Sequence, residues 1–215
     1  MPAKNPLSDG LLRIHKLITR AISVSVVKCD EYIRINYIPG KEEKGFRLYL
    51  ETLVKVMHAH HLSEDEIVFP YFRGKIEANY SKLKSEHIAM SEMLDDLSRS
   101  IDRLNVGDIP SLRGKLDSIQ RLWTPHIRTE ERSFPPEILD GKMSAVEQDD
   151  LVKRVSTHGA KSSGPGYLAL PFVIFNLQRE DRKEFLKDFP WILKHFIIPV
   201  VWRRKWKSME PFLLN

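Results

Sequence analysis

Four histidines and two glutamates in this 215-residue chain stand at spacings that let them converge on metal ions. His60 is followed four residues later by Glu64, and His126 four residues later by Glu130. On a helix, residues at i and i+4 lie on adjacent turns of one face, so an imidazole and a carboxylate at that spacing can reach the same point. His15 and His87 each stand singly in other segments of helical periodicity. A carboxylate turned into a helical core costs on the order of several kcal/mol unless it is paired or bound to metal. Four imidazoles and two carboxylates form a borderline nitrogen and oxygen donor set that suits iron, and less specifically manganese, cobalt or zinc. Two carboxylates able to bridge, with more donors than one tetrahedral ion needs, favour two metals over one. A lone histidine on an apolar stripe is more often a hydrogen-bonded core residue. Four of them, one per segment and joined by two glutamates, reverse that reading.

The elements that must position these groups are four long segments of 3-4 apolar spacing, with breakers between them. The first runs over residues 8–36 with Ser8 or Asp9 as its N-cap, and Pro39-Gly40 ends it. The second covers residues 42–68 and stops at Pro70, the third covers 77–104, and the fourth starts near Ser111 and ends before Pro135. Lengths of this kind with short connections predict an all-α fold, an up-and-down antiparallel four-helix bundle. The stripe Leu12, His15, Thr19, Ile22, Val26, Cys29 faces the core in the first segment, and Tyr80, Leu83, His87, Met90, Leu94 does so in the third.

The second and fourth segments repeat one another. Phe46, Leu50, Leu53, Met57, His60 and Glu64 recur 66 residues later as Leu112, Leu116, Ile119, Trp123, His126 and Glu130. Each copy closes in Phe-Pro, at Phe69-Pro70 and Phe134-Pro135, where the offset drops to 65. His61 and Asp65 form an equally spaced alternative pair. The stripe and the repeat both select His60 and Glu64, which leaves His58 and His61 facing solvent or orienting the ligands. The remaining acids, Asp65, Glu66 and Glu131, read as ordinary solvated charges.

These motifs resemble the hemerythrin, or HHE cation-binding, family. The family has a histidine in helix one, H-x-x-x-E in helix two, a histidine in helix three and H-x-x-x-E in helix four. Here they stand as LLRIHKLI, HHLSEDEIVFP, SEHIAMSEML and HIRTEERSFP. The resemblance implies an oxo- or hydroxo-bridged centre of two Fe ions, with Mn or Zn as substitutes, held by His15, His60, Glu64, His87, His126 and Glu130. It implies binding or sensing of oxygen, iron or redox state through a small diatomic or peroxide ligand. The alternatives are a di-iron enzyme reducing peroxide, oxygen or nitric oxide, and an iron store or donor. No separate acid–base constellation accompanies the set. Respiratory hemerythrins carry a second helix-three histidine one turn from the first. Here Leu83 and Ser91 occupy those turns, so the set is one ligand short, with water or Tyr80 as the completing group.

The bulk properties fit this reading. The chain is 42% hydrophobic and 29% charged, and its net charge of +5 does not by itself call for nucleic acid. A single cysteine, Cys29, excludes an intramolecular disulfide and a cysteine-rich zinc or iron–sulfur site. The start of the chain has no apolar run of the signal-peptide kind. The longest apolar stretch, 189–202, is broken by Pro190, Lys194, His195 and Pro199 and is too short to span a bilayer. A soluble, cytoplasmic protein is therefore expected. Two regions are also expected: residues 1–160, the bundle with a short trailing helix over 144–158, and residues 161–215, an aromatic-rich extension. KSSGPG at 161–166 is the best linker between them. The extension packs on the bundle or serves as an interaction segment. Residues 189–207 are its candidate contact with a protein or a membrane surface, because the tryptophans interleave with Arg203, Arg204, Lys205 and Lys207.

Overall fold

A computed structural model describes residues 5–214, which are helical almost throughout and form no β-strand among the described residues. Helix α1 (Pro6–Ile35) begins earlier than the apolar stripe indicates. Asn5, not Ser8 or Asp9, is its N-cap, and its side-chain oxygen accepts from the backbone N–H groups of Leu7 and Ser8. Pro6 fills the first helical position, where its missing donor has no helical partner to lose. The helix ends at Asn36, whose left-handed backbone (φ 49°) turns its N–H back to the carbonyls of Tyr32 and Ile33.

Helix α2 (Gly40–Ser63) does not stop before Pro70. It passes into a π-helical turn over Glu64–Val68 and then into α3 (Phe69–Phe72). Pro70 falls where the hydrogen-bond ladder returns to α register, and there a missing donor is tolerated. Helix α4 (Tyr80–Asp102) is capped by the Asn79 side chain, which accepts from Lys82 N–H. A short 3-10 turn, Val106–Asp108, leads into α5 (Ile109–Ser133), which continues through Pro125. After α6 (Pro136–Asp140) comes α7 (Ala145–Ser162), opened by a reciprocal capping box between Ser144 and Glu147. Gly164, at φ +83°, makes the turn into α8 (Gly166–Asn176). The chain closes with α9 (Arg179–Leu186), a π-helical stretch Leu193–Val201, α10 (Arg203–Trp206) and a 3-10 segment Lys207–Phe212.

The four long helices close a ring: α1 packs on α5 and α2, and α4 packs on α5 and α2. Their inward residues form two apolar clusters. The larger takes Leu17, Ile18, Leu53, Met57, Met90, Leu94, Ile119 and Trp123 among others. The smaller takes Ile67, Phe69, Phe72, Leu83 and Phe134, with Leu7 and Leu11 of α1 against it. On every one of the four helices the buried histidine lies between a residue of one cluster and a residue of the other. A polar layer thus separates two apolar layers.

The segments after α7 pack back on the ring. Asn176 of α8 is buried and accepts through Oδ1 from the Tyr49 hydroxyl of α2 at 2.7 Å and from the Arg20 guanidinium of α1. Arg20 also donates to the Phe212 carbonyl at 3.1 Å. Phe172, Trp206, Met209 and Phe212 join the larger apolar cluster. Gly45 of α2 is where the contact is closest: a β-carbon there would lie 1.9 Å from the Ser208 carbonyl oxygen. Cys29 is fully buried in the same cluster, and burial pushes its thiol up to about 12, so it acts as a small hydrophobe.

Gly45→Ala should force the Lys207–Phe212 segment off α2. The expected loss is about 1 to 3 kcal/mol, the usual range for overpacking, read as a lower midpoint in denaturant unfolding. An unchanged midpoint would show that the segment does not bear on α2 as described.

Candidate metal centre

The polar layer contains His15 of α1, His60 and His61 of α2, Glu64 of the π turn, His87 of α4, and His126 and Glu130 of α5. All seven are buried. The atoms at its centre lie close, yet apart from the His87–His126 pair they do not hydrogen-bond one another. His15 Nε2 is 3.3 Å from Glu130 Oε2, and His60 Nε2 is 3.4 Å from Glu64 Oε2. His126 Nε2 is 3.4 Å from Glu130 Oε1, and His87 Nε2 is 3.5 Å from both Glu64 Oε2 and Glu130 Oε1. His87 Nε2 and His126 Nε2 face each other at 3.0 Å. His15 Nε2, His60 Nε2, Glu64 Oε2 and both Glu130 oxygens are buried with no hydrogen-bond partner. Buried polar atoms are nearly always satisfied, so a cluster of orphans requires an explanation. Donors sharing one ion at bonds of about 2.1 Å sit roughly 3.0 to 3.4 Å apart, close to the 3.0 to 3.5 Å found here. The residues fit a metal.

The outer ring nitrogens are held differently. His15 Nδ1 meets Glu131 Oε1 at 2.9 Å, His87 Nδ1 meets Asp65 Oδ1 at 3.1 Å, and His126 Nδ1 meets Glu86 Oε2 at 2.9 Å. A carboxylate behind an imidazole fixes the ring and turns its lone pair at Nε2 inward, as is usual for histidine ligands. Asp65 and Glu131 are therefore not plain solvated charges, contrary to the expectation from periodicity. The repeat holds the signal for them, since each H-x-x-x-E is followed at once by a second acid and the two lie 66 apart. Glu86, beside His87 in sequence but bonded to His126, has no such signal.

Two other expectations need correction. His61 is neither solvent-facing nor outside the layer: it is buried and its ring stacks on His87 with centroids 4.3 Å apart. Tyr80 does not complete the set, because its hydroxyl donates to the Ile76 carbonyl and its ring packs on Phe69. His158 of α7 is tied to the π turn and its flank, with Nε2 2.9 Å from Glu66 Oε2 and Nδ1 3.0 Å from Ser63 Oγ. His58 sits at the edge, beside Ser91 and Asp95 of α4. The donor atoms fall into two groups, each within 4.8 Å: His15, His60, Glu64 and Glu130 in one, His61, His87 and His126 in the other.

The π turn explains the broken offset in the repeat. Phe69 N–H bonds to the Glu64 carbonyl five residues back, whereas Phe134 N–H bonds to the Glu130 carbonyl four residues back. One inserted residue is absorbed, and Phe69 comes to lie parallel to Phe134 at 6.1 Å. Phe69 also stacks on His87 at 5.5 Å and closes the layer on one side. Trp123 closes the other, edge-on to His15 at 5.5 Å, with its indole N–H donating to Thr19. A cleft of ≈ 380 Å³, lined by His15, Thr19, Glu131, Asn176 and Gln178 among others, lies beside the His15 end.

The electrostatics of the protein follow from burial and pairing. Burial, with repulsion from His15, keeps His60 well below its usual pKa, and burial with the charge of His60 does the same to His61. For His15 and His87 burial acts downward but is outweighed by the carboxylates, Glu130 and Glu131 for the first and Asp65 and Glu130 for the second, so both lie above. Burial and the neighbouring Glu130 and Asp65 charges hold Glu64 well above the carboxylate range. Burial opposes ionisation of Glu130 too, yet the nearby imidazoles of His126, His15 and His87 hold it well below.

Removing the carboxylate behind His15 with Glu131→Gln should weaken metal binding about 10- to 100-fold, measured by competition with a chelator of known affinity. An affinity equal to that of the unchanged chain would mean that Glu131 does not orient His15.

The model of the hemerythrin HHE cation-binding domain matches residues 10–138, a span that holds every residue of the layer. No curated protein and no solved structure matches the chain. The match covers more than half of the sequence, its family binds metal cations, and the His/Glu layer fits that role. The chain belongs to the hemerythrin HHE cation-binding domain family.

Proposed function

We propose that the chain is a non-haem di-iron protein of binding or sensing type, with His15, His60, Glu64, His87, His126 and Glu130 as ligands. The observation that carries the two-metal reading is the reach of Glu130: Oε2 lies toward His15, and Oε1 toward His87 and His126. One carboxylate thus addresses both halves of the layer, as a bridging ligand does. Glu64 Oε2 faces both His60 and His87, which supports the same role for it. Two irons so placed supply chemistry with oxygen, peroxide or a diatomic gas. This chain's own residues hold them, orient the imidazoles through Asp65, Glu86 and Glu131, and exclude bulk water with Trp123 and Phe69. The cleft beside His15 gives a small ligand an approach, which favours binding or sensing over a closed store.

The ring is read as an up-and-down antiparallel bundle. In support, α1 and α4 run from the smaller apolar cluster toward the larger, and α2 and α5 run the other way. The proposed division is this domain over residues 1–160 and an extension over 161–215; residues 1–4 and 215 lie outside the described residues, and α7 runs across the boundary to Ser162. No helix among the described residues is long and apolar enough to cross a membrane. Trp191, Ile192, Phe196, Val200 and Val201 are nevertheless exposed near Arg204 and Lys207, which fits contact with an anionic membrane surface through 189–207.

The purified chain should carry close to two irons, counted by plasma mass spectrometry, and Glu64→Ala or Glu130→Ala should each lower that number. A folded chain that takes up no ferrous iron would overturn the reading. For the extension, the chain should pellet with anionic vesicles and a Trp191→Ala, Phe196→Ala form should not; equal pelleting would remove that role.

A further inference from the structure

His61 is the one member of the layer that neither the apolar stripe nor the repeat accounts for. Its counterpart 66 residues later is Ile127, an apolar residue. It is 5% exposed, and neither of its ring nitrogens has a hydrogen-bond partner. Asp65, four residues on, is not paired with it but bonded to His87 Nδ1. As a core filler, His61 would bear the desolvation cost of two polar atoms that an isoleucine avoids. Its ring instead lies parallel to His87 at 4.3 Å and edge-on to His126 at 5.8 Å, and these three rings bring one nitrogen each within 4.8 Å of the others.

We propose that His61 is a seventh protein ligand, binding the metal ion held by His87 and His126. This rests on the two-metal reading above. The two positions then differ: one has His15 and His60, the other His61, His87 and His126, with Glu64 and Glu130 shared between them. Helix geometry makes the assignment feasible. Consecutive residues are about 100° apart around a helix, so His60 can turn toward α1, where its ring is 5.1 Å from His15, while His61 turns toward α4. The ligand class is a divalent first-row transition ion, ferrous iron or manganese, that accepts three imidazoles together with carboxylate oxygen.

The test loads the full chain anaerobically with ferrous iron, desalts it, and counts metal, with thermal melting of the metal-free and loaded forms alongside. His61→Leu should fall from about two irons per chain to about one and lose part of the melting-point gain that metal gives. Its metal-free form should melt no lower than the unchanged metal-free chain, because two orphaned polar atoms are gone. His61→Gln, which keeps polarity and similar size, should show the same loss of metal and guards against a folding defect in the first variant. If both variants keep two irons and the full melting gain, His61 is a packing residue and this inference is wrong while the two-metal reading stands. If the unchanged chain itself holds fewer than two, both fall.

Discussion

Desolvation of a charged layer is the constraint around which the rest of this protein is arranged. Five imidazoles and two carboxylates lie buried across the ring, sandwiched between two apolar clusters. Charges in such a place are stable only if other charges, hydrogen bonds or metal replace the water they have lost. Asp65, Glu86 and Glu131 supply that replacement on the outer side of three histidines. On the inner side His15 Nε2, His60 Nε2, Glu64 Oε2 and both Glu130 oxygens have no hydrogen-bond partner, and it is there that the residues fit a metal. The clusters above and below supply the apolar burial that holds the layer together, with Leu83, Phe69 and Phe134 on one side and Met57, Met90 and Trp123 on the other. Metal bound in that layer would add its binding free energy to the stability of the fold.

The π turn at Glu64–Val68 is the second device the layer depends on. An extra residue in a helix ordinarily rotates everything after it by about 100°. Here the wide turn takes up the insertion, so that Glu64 faces the layer and Phe69 still lands opposite Phe134. Such turns gather at functional sites because they re-aim a side chain without ending the helix. Helix α7 packs on this turn, and His158 bonds to Glu66 within it and to Ser63 just before it. The region beyond the H-x-x-x-E motifs thereby supports the part of α2 that departs from regular geometry.

Much of this was legible in the sequence because helical periodicity and burial are the same fact seen twice. The 3-4 stripes place His15, His87 and the Leu and Met residues around them on the core face, and the 66-residue repeat selects Glu64 and Glu130. What periodicity missed lies one residue off the stripe. The core-facing stripe of a helix packed on two neighbours is about 100° wide or more, so two consecutive residues can stand at its two edges and turn toward different neighbours, as His60 and His61 do. Asp65 and Glu131, each next to an inward glutamate, flank the face and reach across to a neighbouring helix, which a single-helix pattern does not register. The 3-4 stripe begins only at Leu12, so periodicity places the cap of α1 too late, at Ser8 or Asp9; Asn5 with Pro6 at the first helical position is the cap. In the extension, composition alone could not sort Phe172, Phe212 and Trp206, which are buried, from Trp191 and Phe196, which are exposed.

The central claim is that the two carboxylates join two metal ions inside one buried layer. X-ray absorption at the iron edge of the loaded chain addresses it most directly, because it sees the neighbours of each iron. The account predicts nitrogen and oxygen donors at about 2.0 to 2.2 Å and a second iron within about 4 Å. Iron with that donor shell but no neighbouring iron at full loading would contradict it, leaving a single-metal site in which Glu64 and Glu130 do not bridge.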